Sequence, residues 1–171
     1  MNQKAVFTGL CVLGFLAGAA MAQAKTSSHT SKQQDEQFIR AVAIDDMTEA
    51  PLGEMAHDNA VKGPVKDFGQ TVSSDETKDY EQLTVLANKT GEHIPKGIDS
   101  RKSPAIRTLA EAKSGNFDHE FLQEEIANER KIIAVLQHEA SHGTNPDMKE
   151  WAGKMVATRQ EELQKAEALM K

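Results

Sequence analysis

The chain is poor in the residues that carry thiol chemistry and aromatic packing, with one cysteine, one tryptophan and one tyrosine among 171 residues. Cys11, the only cysteine, lies in an apolar run near the start, so the sequence beyond it has no thiol for disulfides, nucleophilic catalysis or thiolate metal sites. Alternating β-branched runs of strand length are also absent, which argues against a sheet. Acidic residues outnumber basic ones by 26 to 20, which argues against a nucleic-acid partner because its phosphates would be repelled.

The apolar run extends from Ala5 to Ala24 and follows a single charge at Lys4. It contains an A-x-A-like cleavage site and gives way at once to polar sequence, so it is typical of a secretory signal peptide over residues 1–22 and not of a membrane span. We therefore expect export to the periplasm or the outer-membrane periphery. No integral membrane span is expected after cleavage, although the protein could associate peripherally with the envelope. The polar residues 23–34 are predicted to form a disordered tether, and the sequence points to no particular protein partner.

Beyond the tether, apolar residues recur at alternating steps of four and three in four long segments, which predicts four amphipathic helices. These four series begin at Phe38, Val65, Phe121 and Met148. Short connections at Gly63-Pro64 and Asn145-Pro146 predict two antiparallel hairpins. Ser103 and Pro104 predict a short extra helix in the long middle crossover. Residues 35–171 are therefore predicted to be all-α, an antiparallel four-helix bundle with one short helix in the crossover.

Three finer predictions follow from single residues. Pro51 is expected to kink or break the first helix beside Glu49, because proline removes a helical hydrogen bond and clashes with the preceding turn. Asp118 is expected to cap the third long helix. Thr158 is predicted to lie on the inward face of the fourth long helix.

The stretch "HEASH", residues 138–142, matches the H-E-x-x-H pattern of zinc peptidases, in which two imidazoles on one helix face bind the metal. The apolar face of this helix passes through Leu136 and Ala140. His138 and His142 are therefore predicted to face away from the core, about 200° around the helix. A third ligand at Glu162 would lie roughly 24 Å from His142 in an antiparallel hairpin. We interpret the pair as exposed histidines with at most weak metal affinity, not as a peptidase site.

Each of the four stripes is interrupted near its middle by a carboxylate. The interrupting residues are Glu49, Glu76, Glu129 and Glu162. A carboxylate that faces a core is costly unless it is paired, protonated or bound to a cation, and inward glutamates from every helix are how di-metal bundles are built. These four are the candidate metal ligands, and their oxygen donors favour a hard divalent cation, Mn, Fe, Ca or Mg, over Zn.

A second interpretation of the same acids needs no metal. They would lie on the flanks of their stripes and reach solvent, or pair with nearby lysines or with Arg40, Arg130 or Arg159. No stripe carries the Glu-x-x-His of catalytic di-iron bundles, and Glu76-x-x-Asp79 is the nearest approach to it. Both interpretations remain open at the level of sequence.

Five stretches, in this order and spacing, cover nearly all of residues 36–169: "MTEAPLGEMA" (47–56), "VKDFGQTVSSDE" (65–76), the G-x-x-I-P of 91–95, "FDHEFLQEEIANE" (117–129) and "WAGKMVATRQEEL" (151–163). On these stretches the chain resembles a family of small exported bacterial proteins of unknown function, ferritin-like four-helix bundles often labelled as outer membrane proteins. In that family the position of Glu49 is a glutamate, whereas those of Glu76, Glu129 and Glu162 are usually histidines. The resemblance therefore implies that any metal site here is shifted towards harder cations.

The sequence is best interpreted as an exported ferritin-like bundle that acts as a non-catalytic binding or envelope-stress module, with a carboxylate-lined cation site in its core. The alternative is a metal-dependent oxidase or a metal-storage protein that uses the same core carboxylates. No catalytic residue is identified, and the sequence leans against an enzyme.

Overall fold

The computed structural model describes residues 18–98 and 103–171, with side chains from residue 32 onward. These residues form five helices and no strand, which confirms the prediction of an all-α chain for the described part. The helices are α1 (Gly18–Asn59), α2 (Gly63–Thr90), α3 (Pro104–Glu111), α4 (Phe117–His142) and α5 (Pro146–Met170). Most of the predicted signal peptide, residues 1–17, lies outside the described residues.

The first helix is longer than the sequence suggested. It begins at Gly18, so residues 23–34 are helical where a disordered tether was expected. This segment lacks an apolar stripe and continues the helix of the residues that follow it, and extending an existing helix adds one hydrogen bond for each residue fixed. In the described residues, no helix combines the length and the apolar character that crossing a membrane requires.

The four long helices pack as a helical bundle. The most extensive contacts join α1 to α2 and α4 to α5, while α1 also contacts α4, and α2 also contacts α5. The first two helices approach each other closely at two glycines: a Cβ added at Gly53 would lie 2.6 Å from the Gly69 carbonyl oxygen. The short helix α3 packs on α1 and α4.

The apolar core is divided into two clusters by a polar layer. One cluster includes Phe38, Ile39, Val42, Leu83, Ile132, Leu136, Met148 and Met155. The other includes Leu52, Ala56, Val65, Phe68, Val72, Phe121, Leu122 and Ala166. In every long helix the acids that interrupt the stripe lie between the residues of one cluster and those of the other. The bundle therefore has a buried layer of acids between two apolar layers.

Pro51 does not break the first helix, and the cap predicted at Asp118 was wrong. Helix α1 continues through Pro51 to Asn59 without a break, and Glu49 beside the proline is only 2% exposed. Asp118 does not cap α4, whose N-cap is Asn116. Its carboxylate instead accepts hydrogen bonds from the backbone N–H groups of Val61, at 2.7 Å, and Lys62, at 2.9 Å. These donors precede α2 and have no partner within that helix, so Asp118 satisfies them and ties the α1–α2 connection to α4.

The other predicted caps are confirmed. The Ser103 hydroxyl accepts a hydrogen bond from the Ile106 N–H at the start of α3. The Asn145 side chain accepts from the N–H groups of Asp147 and Met148 at the start of α5. Both helices have a proline just after the cap, as expected for a first turn whose N–H groups are not used.

Candidate functional site

The polar layer contains carboxylates from all four long helices. We call them the acid cluster: Asp45, Asp46, Glu49, Glu76, Asp79, Glu125, Glu129 and Glu162. All of them are buried except Asp45, which is half-buried. A concentration of acids in a protein interior requires compensating charge or protons, because desolvation penalises each ionised carboxylate.

A single arginine, Arg159 on α5, lies within the acid cluster. It is 1% exposed and is the largest of the fully buried side chains. The fourth stripe therefore runs from Met155 through Arg159 to Glu162, and the placement of Thr158 on the inward face was wrong because Thr158 is exposed. Steps of three and four both keep a residue near one face of a helix with 3.6 residues per turn, and here the step from Met155 is four.

The Arg159 guanidinium contacts carboxylates on four helices. Its principal partner is Glu76 on α2, which it holds in a two-pronged contact, with Nη1 against Oε1 and Nη2 at 2.6 Å from Oε2. Nη2 also lies 3.1 Å from Asp46 Oδ1 and 3.3 Å from Asp79 Oδ2. The Nη2–Oε2 contact is a charge-assisted hydrogen bond, which is shorter and stronger than one between neutral groups.

On the other side of the guanidinium, Nη1 lies 3.4 Å from Glu129 Oε1 and 3.6 Å from Glu162 Oε2. Glu76, Glu129 and Glu162 each present one oxygen, and the three oxygens lie within 4.8 Å of one another. Glu129 Oε2 and Glu162 Oε1 are buried without a hydrogen-bond partner. These oxygens remain available to a proton or a cation after Arg159 has made its contacts.

Next to this group lies a pair of acids that Arg159 does not contact. Glu49 and Glu125 are neighbours in the acid cluster, and the charge of Glu125 adds to the effect of burial in raising the pKa of Glu49. Both oxygens of Glu125 and Oε2 of Glu49 are buried without a hydrogen-bond partner. Asp45 borders the pair, and its Oδ1 accepts a hydrogen bond from the Asn128 amide at 2.9 Å.

The environment raises the pKa of most members of the acid cluster. Burial, followed by the charges of Glu162 and other neighbours, raises the pKa of Glu129 to about 10. Burial raises the pKa of Asp46 to about 8 although Arg159 opposes the shift. For Asp79, burial and the charge of Glu162 raise the pKa to about 7.

Burial and the charges of neighbouring acids, chiefly Glu125 for Glu49 and Glu129 for Glu125, hold the pKa values of both glutamates well above their ordinary range. At neutral pH the cluster therefore favours protons, or another positive charge in their place.

The four glutamates predicted as metal ligands are all buried, at 0–6% exposure. The structure brings Glu76, Glu129 and Glu162 together, whereas Glu49 belongs to the neighbouring pair with Glu125. Asp46 was not predicted, and Arg159 was not distinguished from Arg40, Arg130 and the lysines as the partner of these acids. The available signal was spacing, because Arg159 lies four residues after Met155 and three before Glu162.

The histidines of the "HEASH" stretch are exposed, as predicted. The rings of His138 and His142 stack with their centroids 4.9 Å apart. Glu139 between them is 2% exposed and packs against Gly143. Glu162, the third ligand that a peptidase would need, belongs instead to the acid cluster around Arg159.

Two proteins of known structure have a fold similar to that of this chain. A DUF305 fragment from Deinococcus radiodurans superposes with a TM-score of 0.70 at 13% identity, over 80% of this chain and 95% of the fragment. CopM in its Cu(I)-bound form superposes with a TM-score of 0.67 at 16% identity, over 78% of this chain and 93% of CopM. CopM in its Cu(II)-bound form superposes with a TM-score of 0.65 at 18% identity, over 80% of this chain and 96% of CopM. At these identities the likeness shows the fold alone.

None of the curated proteins matches the chain. A family model does, and it spans residues 20–169, which include all five helices except the first two residues of α1 and the last residue of α5. The chain therefore belongs to the family described as a domain of unknown function, DUF4142.

Proposed function

We propose that this protein is an exported, non-catalytic metal-binding bundle whose acid cluster takes up a hard divalent cation in exchange for protons. The observation that carries the proposal is the imbalance of charge in the polar layer, where eight carboxylates from four helices surround one arginine. If all were ionised, seven negative charges would be left in excess. A divalent cation removes part of this excess and supplies ligand bonds to oxygens that have no partner.

The oxygens that Arg159 leaves free indicate where such a cation would bind. Glu76 is largely occupied by the guanidinium, so it serves mainly to hold Arg159. The carboxylate oxygens without a hydrogen-bond partner include those of Glu129 and Glu162, on the edge of the arginine site, and those of the pair of Glu49 and Glu125. Asp45, Asp46 and Glu76 each have one such oxygen as well. The site proposed here therefore retains Glu49, Glu129 and Glu162 from the sequence prediction and adds Glu125, with Glu76 as a positioning residue.

The choice of cation follows from the donor set. In the part of the chain that the structure describes, the interior groups with metal-ligand spacing contain carboxylates only. Hard cations such as Mn²⁺, Fe²⁺, Ca²⁺ and Mg²⁺ prefer oxygen ligands, whereas copper prefers nitrogen or sulfur. CopM, a fold neighbour at low identity, is seen in copper-bound forms, so a bundle of this shape is compatible with metal binding. The metal bound here would nevertheless differ.

We also propose that the four long helices form an antiparallel, ferritin-like bundle. An antiparallel, ferritin-like four-helix arrangement is supported by the close contacts between α1 and α2, in which Gly53 approaches Ser73 while Ala56 approaches Gly69. Residue numbers thus rise along one helix as they fall along the other. Export is supported by the apolar run from Ala5 to Ala24 and its A-x-A-like site.

The test is a comparison of metal content and metal-dependent stability. The protein, purified without a histidine tag, would be analysed for bound metals and then melted with and without each of the four cations at about pH 7.5. We expect at least one cation to raise the melting temperature, because a ligand that binds only the folded state stabilises it. Glu129→Gln and Glu125→Gln should each weaken this response.

Glu161→Gln is the matched control, since Glu161 is exposed and adjacent to Glu162 in α5. It should respond to the cation as the unchanged protein does. A melting temperature that none of the four cations moves at millimolar concentration would rule out the proposal. Oxygen consumption on addition of Fe²⁺ would instead support a metal-dependent oxidase that uses the same acids.

A further inference from the structure

His138 and His142 form a second group of metal-ligand side chains, on α4 beyond the acid cluster, and His138 is nine residues after Glu129. They lie one turn apart at the C-terminal end of α4, which ends at His142. Both side chains are exposed, and their rings are nearly parallel, with 23° between the planes and 4.9 Å between centroids. Among the described residues, neither imidazole has a hydrogen-bond or ion-pair partner.

This arrangement matches what a transition-metal ion needs from two helical ligands. Residues four apart lie on the same face of a helix, and imidazole nitrogens bind a divalent ion at about 2.0–2.1 Å. Rings that already lie side by side need only small rotations about their side-chain bonds to direct one nitrogen each at a common ion. Little conformational freedom is then lost on binding, which favours affinity.

We propose that His138 and His142 form a surface site for an imidazole-preferring divalent transition-metal ion, with Cu²⁺ bound most tightly among the first-row ions. The order of affinity follows from the general preference of nitrogen donors for Cu²⁺ over Ni²⁺ and Zn²⁺. His138 borders an open groove between α1 and α4, so water can complete the coordination sphere.

The site is a binding site and not a peptidase centre. Glu139, which would act as the general base in the H-E-x-x-H mechanism, is buried and packed against Gly143. The usual third protein ligand is also missing from the described surroundings, because Glu162 is held in the acid cluster. Two imidazoles thus supply all the protein ligands, and the site does not depend on the interior cation proposed above.

Titration of the untagged full chain with Cu²⁺, in competition with a chromophoric chelator, tests the proposal. We expect one Cu²⁺ per chain with two nitrogen ligands in the electron paramagnetic resonance spectrum. His138→Gln and His142→Gln should each weaken binding by about tenfold or more, because each removes half of the protein ligands. Since both residues are exposed, circular dichroism should show the same helix content in all variants.

His93→Gln and His119→Gln are the matched controls, because these histidines are also exposed but have no histidine one turn away. Both should bind Cu²⁺ as the unchanged protein does. Equal Cu²⁺ affinity in the unchanged protein and in His138→Gln would overturn the proposal. That result would leave the interior site untouched, since the interior site is tested with hard cations.

Discussion

The Nη2 atom of Arg159 lies 2.6 Å from Oε2 of Glu76, and both side chains are enclosed by the bundle. The two residues lie on α5 and α2, and the same guanidinium reaches Asp46 on α1 and Glu129 on α4. One positive charge thus links all four long helices at the level of the polar layer. Such a link is costly to form in a dry interior, but it is costlier to break on one side, because the remaining charges stay buried.

Replacement of this arginine by an apolar residue of similar length should destabilise the protein strongly. For Arg159→Met we expect a loss of about 3–5 kcal/mol in the free energy of unfolding near pH 7.5, the usual cost of removing one partner from a buried ion pair. The loss should be smaller at about pH 5, because protons can then replace the arginine. Urea denaturation at the two pH values measures both effects.

Arg130→Met provides the control for this experiment. Arg130 pairs with Glu167 at 2.7 Å, but both side chains are well exposed. Its replacement should change the free energy of unfolding by about 1 kcal/mol or less, as for other surface pairs. If Arg159→Met were as stable as Arg130→Met near pH 7.5, Arg159 would not be needed to balance the cluster.

The stability of the metal-free protein should fall as the pH rises. Asp79 titrates at an ordinary pKa of 3.8 when unfolded but near 7 when folded, and Asp46 shifts from 3.8 to about 8. Between these values the folded state holds more protons than the unfolded state, so unfolding becomes easier with increasing pH. Between its unfolded and folded pKa values, each group lowers the free energy of unfolding by about 1.4 kcal/mol per pH unit. Denaturation from about pH 4 to pH 9 measures the effect.

The same series separates the contribution of Glu129, whose folded pKa is about 10. Its stabilising contribution is complete below its unfolded pKa of 4.5 and is lost as the pH rises through its folded pKa. Glu129→Gln should therefore reduce the slope above about pH 5. A stability that stays constant or increases from about pH 5 to pH 8 would contradict the proton-balanced state of the cluster.

The sequence predicted the helices well because their signal is repeated. The inward series of α2, from Val65 to Leu86, consists of buried residues throughout, and the acids that interrupt the stripes are indeed inside. A periodic pattern over more than twenty residues averages out errors at single positions. The positions of the connections and of most caps were also predicted, because each depends on only a few neighbouring residues.

The centre of the polar layer was harder to predict, because there a single step of three or four decides which residue points inward. The periodicity favoured Thr158 over Arg159 in the fourth stripe, and Asp46 was not among the acids predicted to face inward. Asp46 and Arg159 are partners in the structure, at 3.1 Å. Predicting that Asp46 pairs with Arg159 would have required the rotation of α1 and α5 about their axes relative to each other. Periodicity within one helix does not contain that information.

Glu125 should be a source of instability when no cation is bound. It is 1% exposed, both of its carboxylate oxygens lack a hydrogen-bond partner, and it is surrounded by further acids. Glu125→Gln keeps the shape and removes the charge, and its amide can donate a hydrogen bond to Glu49. We expect a gain of about 1–3 kcal/mol near pH 8 and little change near pH 5, measured by urea denaturation in the presence of a chelator.

The control for Glu125→Gln is Glu161→Gln, which removes a charge from the exposed face of α5. It should leave the free energy of unfolding unchanged at both pH values. Addition of the cation identified in the metal experiments should reverse the order, so that the unchanged protein becomes more stable than Glu125→Gln. A destabilised Glu125→Gln near pH 8 in chelator would show that the ionised carboxylate is the favoured form.

The close approach of α1 and α2 depends on Gly53. A Cβ at this position would lie 2.6 Å from both the Gly69 carbonyl oxygen and the Ser73 nitrogen, which are backbone atoms that can move only with their helix. Gly53→Ala should therefore cost about 1–3 kcal/mol despite the better helix propensity of alanine. Gly153→Ala in α5 is the matched control, since its Cβ would meet only the Ala140 methyl at 3.9 Å. It should gain about 0.5–1 kcal/mol. Because the two changes are chemically identical, opposite signs in urea denaturation would isolate helix packing as the cause, and a gain in both would show that α1 and α2 can separate without cost.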